Sequence, residues 1–399
     1  MNRRQFVCAS TVATVGVLPR IVSAADDSPL SSHRIASMEF RGVKLPWPRH
    51  VGRNATKGHH GNGPTISVCI LKTDQGATGW GHHQSARKVA EGLRERVIGK
   101  SVASLIDPAK GILADELHPL DIPLHDLAGV ILGQPVWKMM GAEKPFLTKV
   151  YSGMIYFDDL DPPDKPAGID KVLENCRWDY EYGYRQFKVK VGRGHKWMET
   201  AAGIRRDIDV VRAIHKAFPD VDILVDGNNG FTVDTMVQFL KGIDGIPLFW
   251  VEEPFHETVN DWRKLAAWMS KNGFEKTYCA DGEARPDFEV LEKLEADRSL
   301  TLRLCDICGY GFTHWRRLMH KLKANKIAAS PHTWGSGLKT VYTAHFAAAL
   351  GNHPTIEGVT CSHDHVDFGE NKIVDGQFRP STKPGFGLTL QDGATEEGR

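Results

Sequence analysis

Seven positions in this 399-residue chain carry an amine, carboxylate or imidazole at intervals of about one strand–helix repeat. From Lys190 the series runs through Asp226, Glu252, Glu283, Asp306, His332 and Glu357, with steps of 23 to 36 residues. Asp226 closes Asp-Ile-Leu-Val-Asp, Glu252 closes Leu-Phe-Trp-Val-Glu, and Glu283 follows Tyr-Cys-Ala-Asp-Gly. Three acids at the ends of adjacent strands point into one small volume. Like charges that close stay ionised together only if a cation neutralises them. Hard oxygen ligands of this kind select Mg²⁺, or a similar ion such as Mn²⁺, with positions left for substrate oxygens. Separate rim acids, each paired with Lys or Arg, would explain any one of the three but not the ordered set.

The bases follow the same logic. Lys188 and Lys190 are two apart on one predicted strand, so they share a face, with Phe187 and Val189 on the other. Packed beside each other and a cation, their amines are expected to have lowered pKa values, toward the range of a general base. His332 leaves a later strand in Ala-Ser-Pro-His-Thr-Trp-Gly-Ser-Gly, nearly opposite in a closed barrel. A base on each side of a captured carboxylate permits proton removal on one face and acid or base work on the other. Alone, His332 reads as a satisfied core or loop histidine; its place in the series singles it out.

Such a ring needs a barrel. From Val150 the pattern alternates strand and helix, with strands expected at Gln186–Val191, Val221–Asp226, Pro247–Glu252, Thr277–Ala280, Leu300–Ile307, Lys326–Ser330 and Thr355–Gly358. Between them run amphipathic helices. One carries Ile204, Ile208, Val211, Ile214 and Phe218; another carries Val233, Met236, Val237 and Leu240 after Thr232 as N-cap; a third carries Trp315, Leu318, Met319 and Leu322. Alternation at this repeat length implies a parallel sheet, and about seven units favour a closed barrel, whose catalytic groups sit at the C-terminal strand ends. Residues 26–148 read instead as a small α+β domain. A strand at Ile66–Thr73 and the turn Thr73-Asp74-Gln75-Gly76 open it, and the helical stretch from Asp121 to Gly141 closes it.

Composition narrows the partners. Fifty basic against 49 acidic residues leave a net charge of +1, with no electrostatic reason to expect nucleic acid or an anionic membrane. Residues 1–25 read as an export leader: Arg3-Arg4-Gln5-Phe6, a short apolar run from Val7 to Leu18, and small residues near Ala24. The apolar run is too short to span a bilayer, and the paired arginines resemble a twin-arginine signal, which predicts a periplasmic or other extracytoplasmic location. Beyond Cys8 in the leader, six dispersed cysteines do not form a disulfide framework, and Cys305-Asp306-Ile307-Cys308 is a lone CxxC. His59-His60, His82-His83 and His363-Asp364-His365 are weaker candidates that read as loop residues.

The order Lys-x-Lys, Asp-x-Asn, Glu-Glu-Pro, Gly-Glu, His and Glu resembles the mandelate-racemase branch of the enolase superfamily over nearly the whole mature chain. Glu252-Glu253-Pro254 is weak alone; the ordered set is specific. The stretch from Asp121 to Gly141 resembles the segment that closes that family's capping domain. Val374-Asp375-Gly376 and Pro384-Gly385-Phe386-Gly387 resemble its C-terminal return. The resemblance implies a (β/α)7β TIM-like barrel over residues 149–365, capped by residues 26–148 with residues 366–399 returning to them. It makes Asp226, Glu252 and Glu283 the Mg²⁺ ligands, with Asn228 supporting the first. Lys190 becomes the base, Lys188 its electrostatic neighbour, His332 the opposite acid/base, and Glu357 a partner of the substrate carboxylate. The chemistry implied is removal of a proton next to a carboxylate through a metal-stabilised enediolate.

In that branch an aspartate on the sixth strand orients the histidine. An ungapped reading back from Trp315 puts Cys305 there; shortening Cys308-Gly309-Tyr310-Gly311 by one residue restores Asp306. A one-residue slip reverses every side chain, so alternation leaves both open. Asp306 is favoured, and Cys305 would point to a one-base mechanism. The family's capping loop, here Arg41–Gly63, selects substrate, and its basic character suits a hydroxylated acid. The reading is therefore a dehydratase acting on a small sugar acid, within an expected homo-oligomer. A racemase, epimerase or cycloisomerase using the same intermediate is the alternative, and an exported non-catalytic sugar-acid-binding protein is a further one.

Overall fold

The computed structural model describes residues 28–83, 87–283, 285–362 and 365–391. The expected leader at residues 1–25, and His363 and Asp364, lie outside them. Among the described residues no helix is long and apolar enough to cross a membrane.

The N-terminal part is a three-stranded antiparallel sheet of β1 (Ile35–Lys44), β2 (Thr65–Thr73) and β3 (Thr78–His82). Gly76, at φ +85°, completes the predicted turn between β2 and β3. Helix α1 (Asp121–Ile131) lies against β3, and Gly79 lets it approach: a Cβ there would fall 2.4 Å from the Leu127 backbone. Asp126 on α1 accepts from the Trp80 and Phe386 amides at 2.9 and 2.8 Å, which ties the helix to β3 and to the C-terminal segment.

Eight parallel strands follow: β4 (Thr148–Ile155), β5 (Gln186–Lys190), β6 (Asp222–Asp226), β7 (Leu248–Glu252), β8 (Tyr278–Asp281), β9 (Leu302–Arg303), β10 (Ala328–Ala329) and β11 (Ile356–Gly358). Seven helices separate them: α2 (Ile169–Tyr182), α3 (Thr200–Ala217), α4 (Val233–Gly242), α5 (Val259–Met269), α6 (Phe288–Ala296), α7 (Phe312–Ala324) and α8 (Gly337–Leu350). Strands β4 to β10 pair in sequence order and β11 returns beside β4, which gives the (β/α)7β barrel. Between β10 and β11 the join is made by a side chain: Glu357 Oε2 accepts from the Thr333 amide at 2.7 Å. Helix capping follows the sequence, with Thr232, Thr258, Asp287 and Ser336 each accepting from the first turn of the helix that follows.

Two differences from the predicted strands stand out. Strand β4, unassigned in the sequence pattern, is the longest of the barrel. Leu300–Ile307, read as one strand, ladders only at Leu302–Arg303, and the chain then rejoins its neighbour in a single bridge between Asp306 and His332. The segment after residue 366 also divides its contacts. Lys372–Val374 and Gln377–Arg379 form a hairpin that extends the barrel sheet at β4, while the Ser381 carbonyl accepts from Trp137 and Phe386 meets Asp126 in the N-terminal domain.

Register places the chemistry. Lys190 pairs with Asp226, and Asp226 with Glu252, in one layer across β5, β6 and β7. Beneath it the barrel axis is filled by Tyr151, Leu224, Trp250, Ala280, Leu302 and Leu304, a separate apolar cluster. Alternate residues Ile223, Val225 and Val251 face outward into the larger core under the helices.

Burial also leaves a titration signature. His345 on α8 is fully buried and His353 just beyond it has both ring nitrogens buried, which pushes both imidazoles down to about 3. The unfolded chain takes up these protons below pH ~6.5 and the fold does not, so stability falls as pH drops from there toward 3. Replacing His345 by Leu is expected to flatten that acid-side slope by about 1.4 kcal/mol per pH unit, measured by denaturant unfolding across the window.

Candidate active site

The charged layer of the barrel closes into one cluster at the C-terminal strand ends. Lys188 is 1% exposed, and its Nζ lies 3.1 Å from Glu252 Oε1, 3.0 Å from Glu357 Oε1 and 3.5 Å from Asp226 Oδ2. Lys190, 4% exposed, bonds Asp226 Oδ2. One carboxylate oxygen each from Asp226, Glu252 and Glu283 lies within 4.8 Å of the others. Glu283 comes from the loop after β8, where its amide donates to Glu253 Oε1 at 3.2 Å. Glu252 Oε2 and Glu283 Oε2 are buried without a hydrogen-bond partner among the described residues. Two orphaned buried acceptors beside a third carboxylate are the donor set of a divalent-cation site.

Electrostatics point the same way. The Glu252 carboxyl is pushed up to about 8, first by burial and then by the charge of Asp226. Its neighbour Glu253 is raised well above the usual range, first by burial and then by the charge of Glu283. Lys188 departs from expectation. Burial lowers its pKa, but the charges of Glu252, Glu357, Tyr151 and Asp226 outweigh burial and hold the amine well above its ordinary value. A neighbouring amine and a bound cation would lower the Lys188 pKa as expected, but the acids in contact with it dominate. Asn228 also differs in detail: its backbone amide donates to Asp226 Oδ1 at 2.9 Å, and its own side-chain oxygen has no partner among the described residues.

His332 stands on the other flank. Its Nε2 is 3.0 Å from Glu283 Oε1, and its Nδ1 donates to Asp306 Oδ2 at 3.0 Å. The second oxygen of Asp306 accepts from the amides of Cys308 and Gly309 at 3.0 and 2.7 Å. Burial lowers the imidazole pKa, but Glu283, Glu357 and the Asp306 bond raise it to about 10. Asp306 is held far below the carboxylate range, burial notwithstanding, by Lys339 and His332. The Cys305 thiol does not hold the imidazole: it is buried beside Arg303 and pushed up to about 11 by burial, while the Cys305 carbonyl accepts from Trp315. Cys308 is likewise a buried free thiol, and neither has the lowered pKa of a reactive cysteine. Glu357, expected to meet the substrate carboxylate, is fully buried and joins Lys188 to the Thr333 amide.

Several residues escaped sequence reasoning. Lys339, in the first turn of α8, lies 2.8 Å from the Asp306 oxygen that holds His332, and no spacing signal marks it. Over Lys190 sits an aromatic roof. Its Nζ is 5.2 Å from the Tyr156 ring, Tyr156 is 4.9 Å from Trp334, and Trp334 is 5.0 Å from Trp47. His60 completes the roof by accepting from Trp334 Nε1 at 3.3 Å. Trp47 and His60 come from the predicted Arg41–Gly63 loop, which begins only at Leu45 because Arg41–Lys44 pair with β2 as the end of β1, and its arginines are not merely solvated. Arg49 makes a bidentate pair with Asp179, both bonds 2.8 Å, and Arg53 pairs with Asp161, so the loop is pinned to the barrel rim. His59 joins His50 and Arg53 in that contact. His82 is half-buried, and its imidazole is pushed down to about 3, first by desolvation and then by the charge of Lys339.

A ring of this kind is stabilised by the cation it lacks charge for. A divalent cation at about a hundredfold excess over its Kd should add about 2.7 kcal/mol of stability, read as a rise in melting temperature. The rise should disappear in Asp226→Asn, whatever that variant's own melting temperature.

An eight-stranded barrel with a capping domain, three converging carboxylates, paired lysines and a facing imidazole defines a class of enzyme. Residues 171–394 match the Enolase C-terminal domain-like family, and the chain belongs to it. Among curated proteins it is 25% identical over 300 residues to an arabinonate dehydratase of Saccharolobus solfataricus, spanning 72% of this chain and 73% of that one. Its structure is similar to a galacturonate dehydratase of a Geobacillus species, solved with D-galacturonate and 5-keto-4-deoxy-D-galacturonate. The TM-score is 0.84, with 28% identity over 91% of this chain and 95% of that chain. A mandelate racemase/muconate lactonizing protein from a Geobacillus species, solved with magnesium and tartrate, matches with the same TM-score of 0.84 and 28% identity, covering 91% and 94% of the two chains.

Proposed function

We propose that the chain is a Mg²⁺-dependent dehydratase of a sugar acid. The reading rests on one observation above all: Lys190 and the His332–Asp306 pair face each other across the Asp226, Glu252 and Glu283 carboxylates. Relatives named as dehydratases of arabinonate and galacturonate, and a neighbour solved with magnesium, support it.

Asp226, Glu252 and Glu283 would hold a divalent cation, which would supply positive charge to the substrate carboxylate and ease loss of the adjacent proton. Lys190 takes that proton. Lys188, held by Glu252 and Glu357, contributes fixed positive charge at the base of the site. On the opposite face His332 gives a proton from Nε2 to the departing hydroxyl. Asp306 fixes its tautomer by accepting from Nδ1. The roof of Tyr156, Trp334 and His60 excludes water from the base side. The enol product tautomerises to a 2-keto-3-deoxy acid, or to its keto counterpart for a uronate.

Purified protein with Mg²⁺ and a panel of aldonic and uronic acids in deuterated water tests this. The expected result is loss of water with keto-acid formation from at least one of them. Lys190→Ala should slow it by about 10²–10⁴-fold, whereas His332→Asn should suppress dehydration more than exchange of the α-proton. Exchange without dehydration in the unaltered protein would favour a racemase or epimerase instead. An unchanged rate in Lys190→Ala would remove the base from the account.

A further inference from the structure

The two flanks of the site differ in room. The base side is closed: Lys190 is 4% exposed beneath Tyr156, His60 and Trp334. The acid side opens into a cavity of about 590 Å³ lined by Glu283, His332, Asp306 and Lys339, and neither Lys188 nor Lys190 reaches it. That volume is within the ~300–1,000 Å³ of sites that enclose drug-sized ligands. The substrate acid also sits against this flank, and a dehydratase needs no room here beyond that acid and a departing water.

The far wall of the cavity has the features of a sugar platform. Tyr310 packs on Phe288 with ring centroids 5.6 Å apart, and Phe288 stays 41% exposed at the mouth although it is a large apolar side chain. Trp334 forms another wall. Pyranose rings present C–H faces to aromatic rings and hydroxyls at their edges, which fits apolar faces with polar groups between them. Lys57, from the pinned capping loop, and Arg285 also line the space, and neither has an acidic partner among the described residues. Two lining cations without acidic partners suit a second carboxylate.

We propose that this cavity is a subsite for a glycosyl group carried on the departing oxygen, and that the protein cleaves acidic oligosaccharides by β-elimination at a uronate residue. The proposal rests on the enolising reading above and extends it. Whatever is attached to the departing oxygen lies on the His332 flank, which is where the space is. Lys190 takes the proton next to the uronate carboxylate, and the electron pair left behind forms a C=C bond to the neighbouring carbon. The C–O bond at that carbon breaks, its electron pair leaves on the glycosidic oxygen, and His332 Nε2–H protonates that oxygen. The products are an unsaturated acid and a sugar with a new free hydroxyl. Neither oxidant nor water is consumed.

The test uses the purified chain with Mg²⁺, 4-linked uronate disaccharides of the galacto, gluco and manno series, and the corresponding free uronates. Mass spectrometry follows the products and proton NMR in deuterated water follows α-proton exchange. The expected result is cleavage of one disaccharide to equal amounts of a free uronate and an acid lighter by one water. Its kcat/KM should exceed that for dehydration of the free uronate by about tenfold or more, and Lys57→Ala or Phe288→Ala should lower that ratio on the order of tenfold. If a free uronate is dehydrated while every disaccharide stays intact, the subsite proposal fails and the dehydratase reading stands. If no compound here exchanges its α-proton, the subsite proposal fails; if the aldonic acids of the first panel are equally inert, the dehydratase reading fails with it.

Discussion

Charge imbalance in a dry barrel mouth is the constraint on which this molecule turns. Lys188 and Lys190 are nearly fully buried against Asp226, Glu252 and Glu357, with Glu283 paired to His332 beside them, and in water-poor surroundings ions are costly unless paired. Two ammonium groups alone do not balance four carboxylates, and the His332 imidazole is drawn into the balance. The structure shows the strain of that mismatch in two places. Glu252 is raised to about 8 by burial and like charge, and His332, though burial opposes it, is raised to about 10 by the acids around it. A divalent cation among Asp226, Glu252 and Glu283 would relieve the repulsion and free the lysines from those acids. The apolar plug of Tyr151, Leu224 and Trp250 beneath, and the aromatic roof above, keep water from doing the same work.

How far the residue pattern carried this picture depends on what held each side chain. Asp226 and Glu252 could be placed from sequence because each ends a run of strand-forming residues, and strand ends meet at the barrel mouth whatever the packing elsewhere. The parallel register then aligns them with Lys190. Asp306 could not be separated from Cys305, because β9 ladders over only two residues and the chain beyond it is irregular. There the outcome is decided by partners from other elements: the amides of Cys308 and Gly309, His332, and Lys339 from α8. The same holds for Arg49 and Arg53. A basic loop reads as solvated until Asp179 and Asp161, on separate barrel segments, come into reach. Lys188 shows a third kind of gap, since strand alternation aims the amine inward without weighing the charges it meets.

The capping loop links these local facts to chemistry. Pinned at Arg49 and Arg53, it brings Trp47 and His60 over the base and sets Lys57 beside the open flank. One loop thus closes the side from which a proton is taken and lines the side to which a group departs. In such a site the fold fixes which bond is made acidic, and the shape of the open flank decides what can leave. Neither Asp306 nor Lys339 touches the acid ring, yet both bear on the imidazole that serves that flank.

The most direct test of the central claim is anomalous X-ray diffraction from crystals grown with Mn²⁺. The account predicts one strong peak per chain, coordinated by oxygens of Asp226, Glu252 and Glu283, with Lys190 moved out of bonding distance of Asp226. A peak elsewhere, or none with the Lys190–Asp226 and Lys188–Glu252 contacts intact at saturating Mn²⁺, would contradict it.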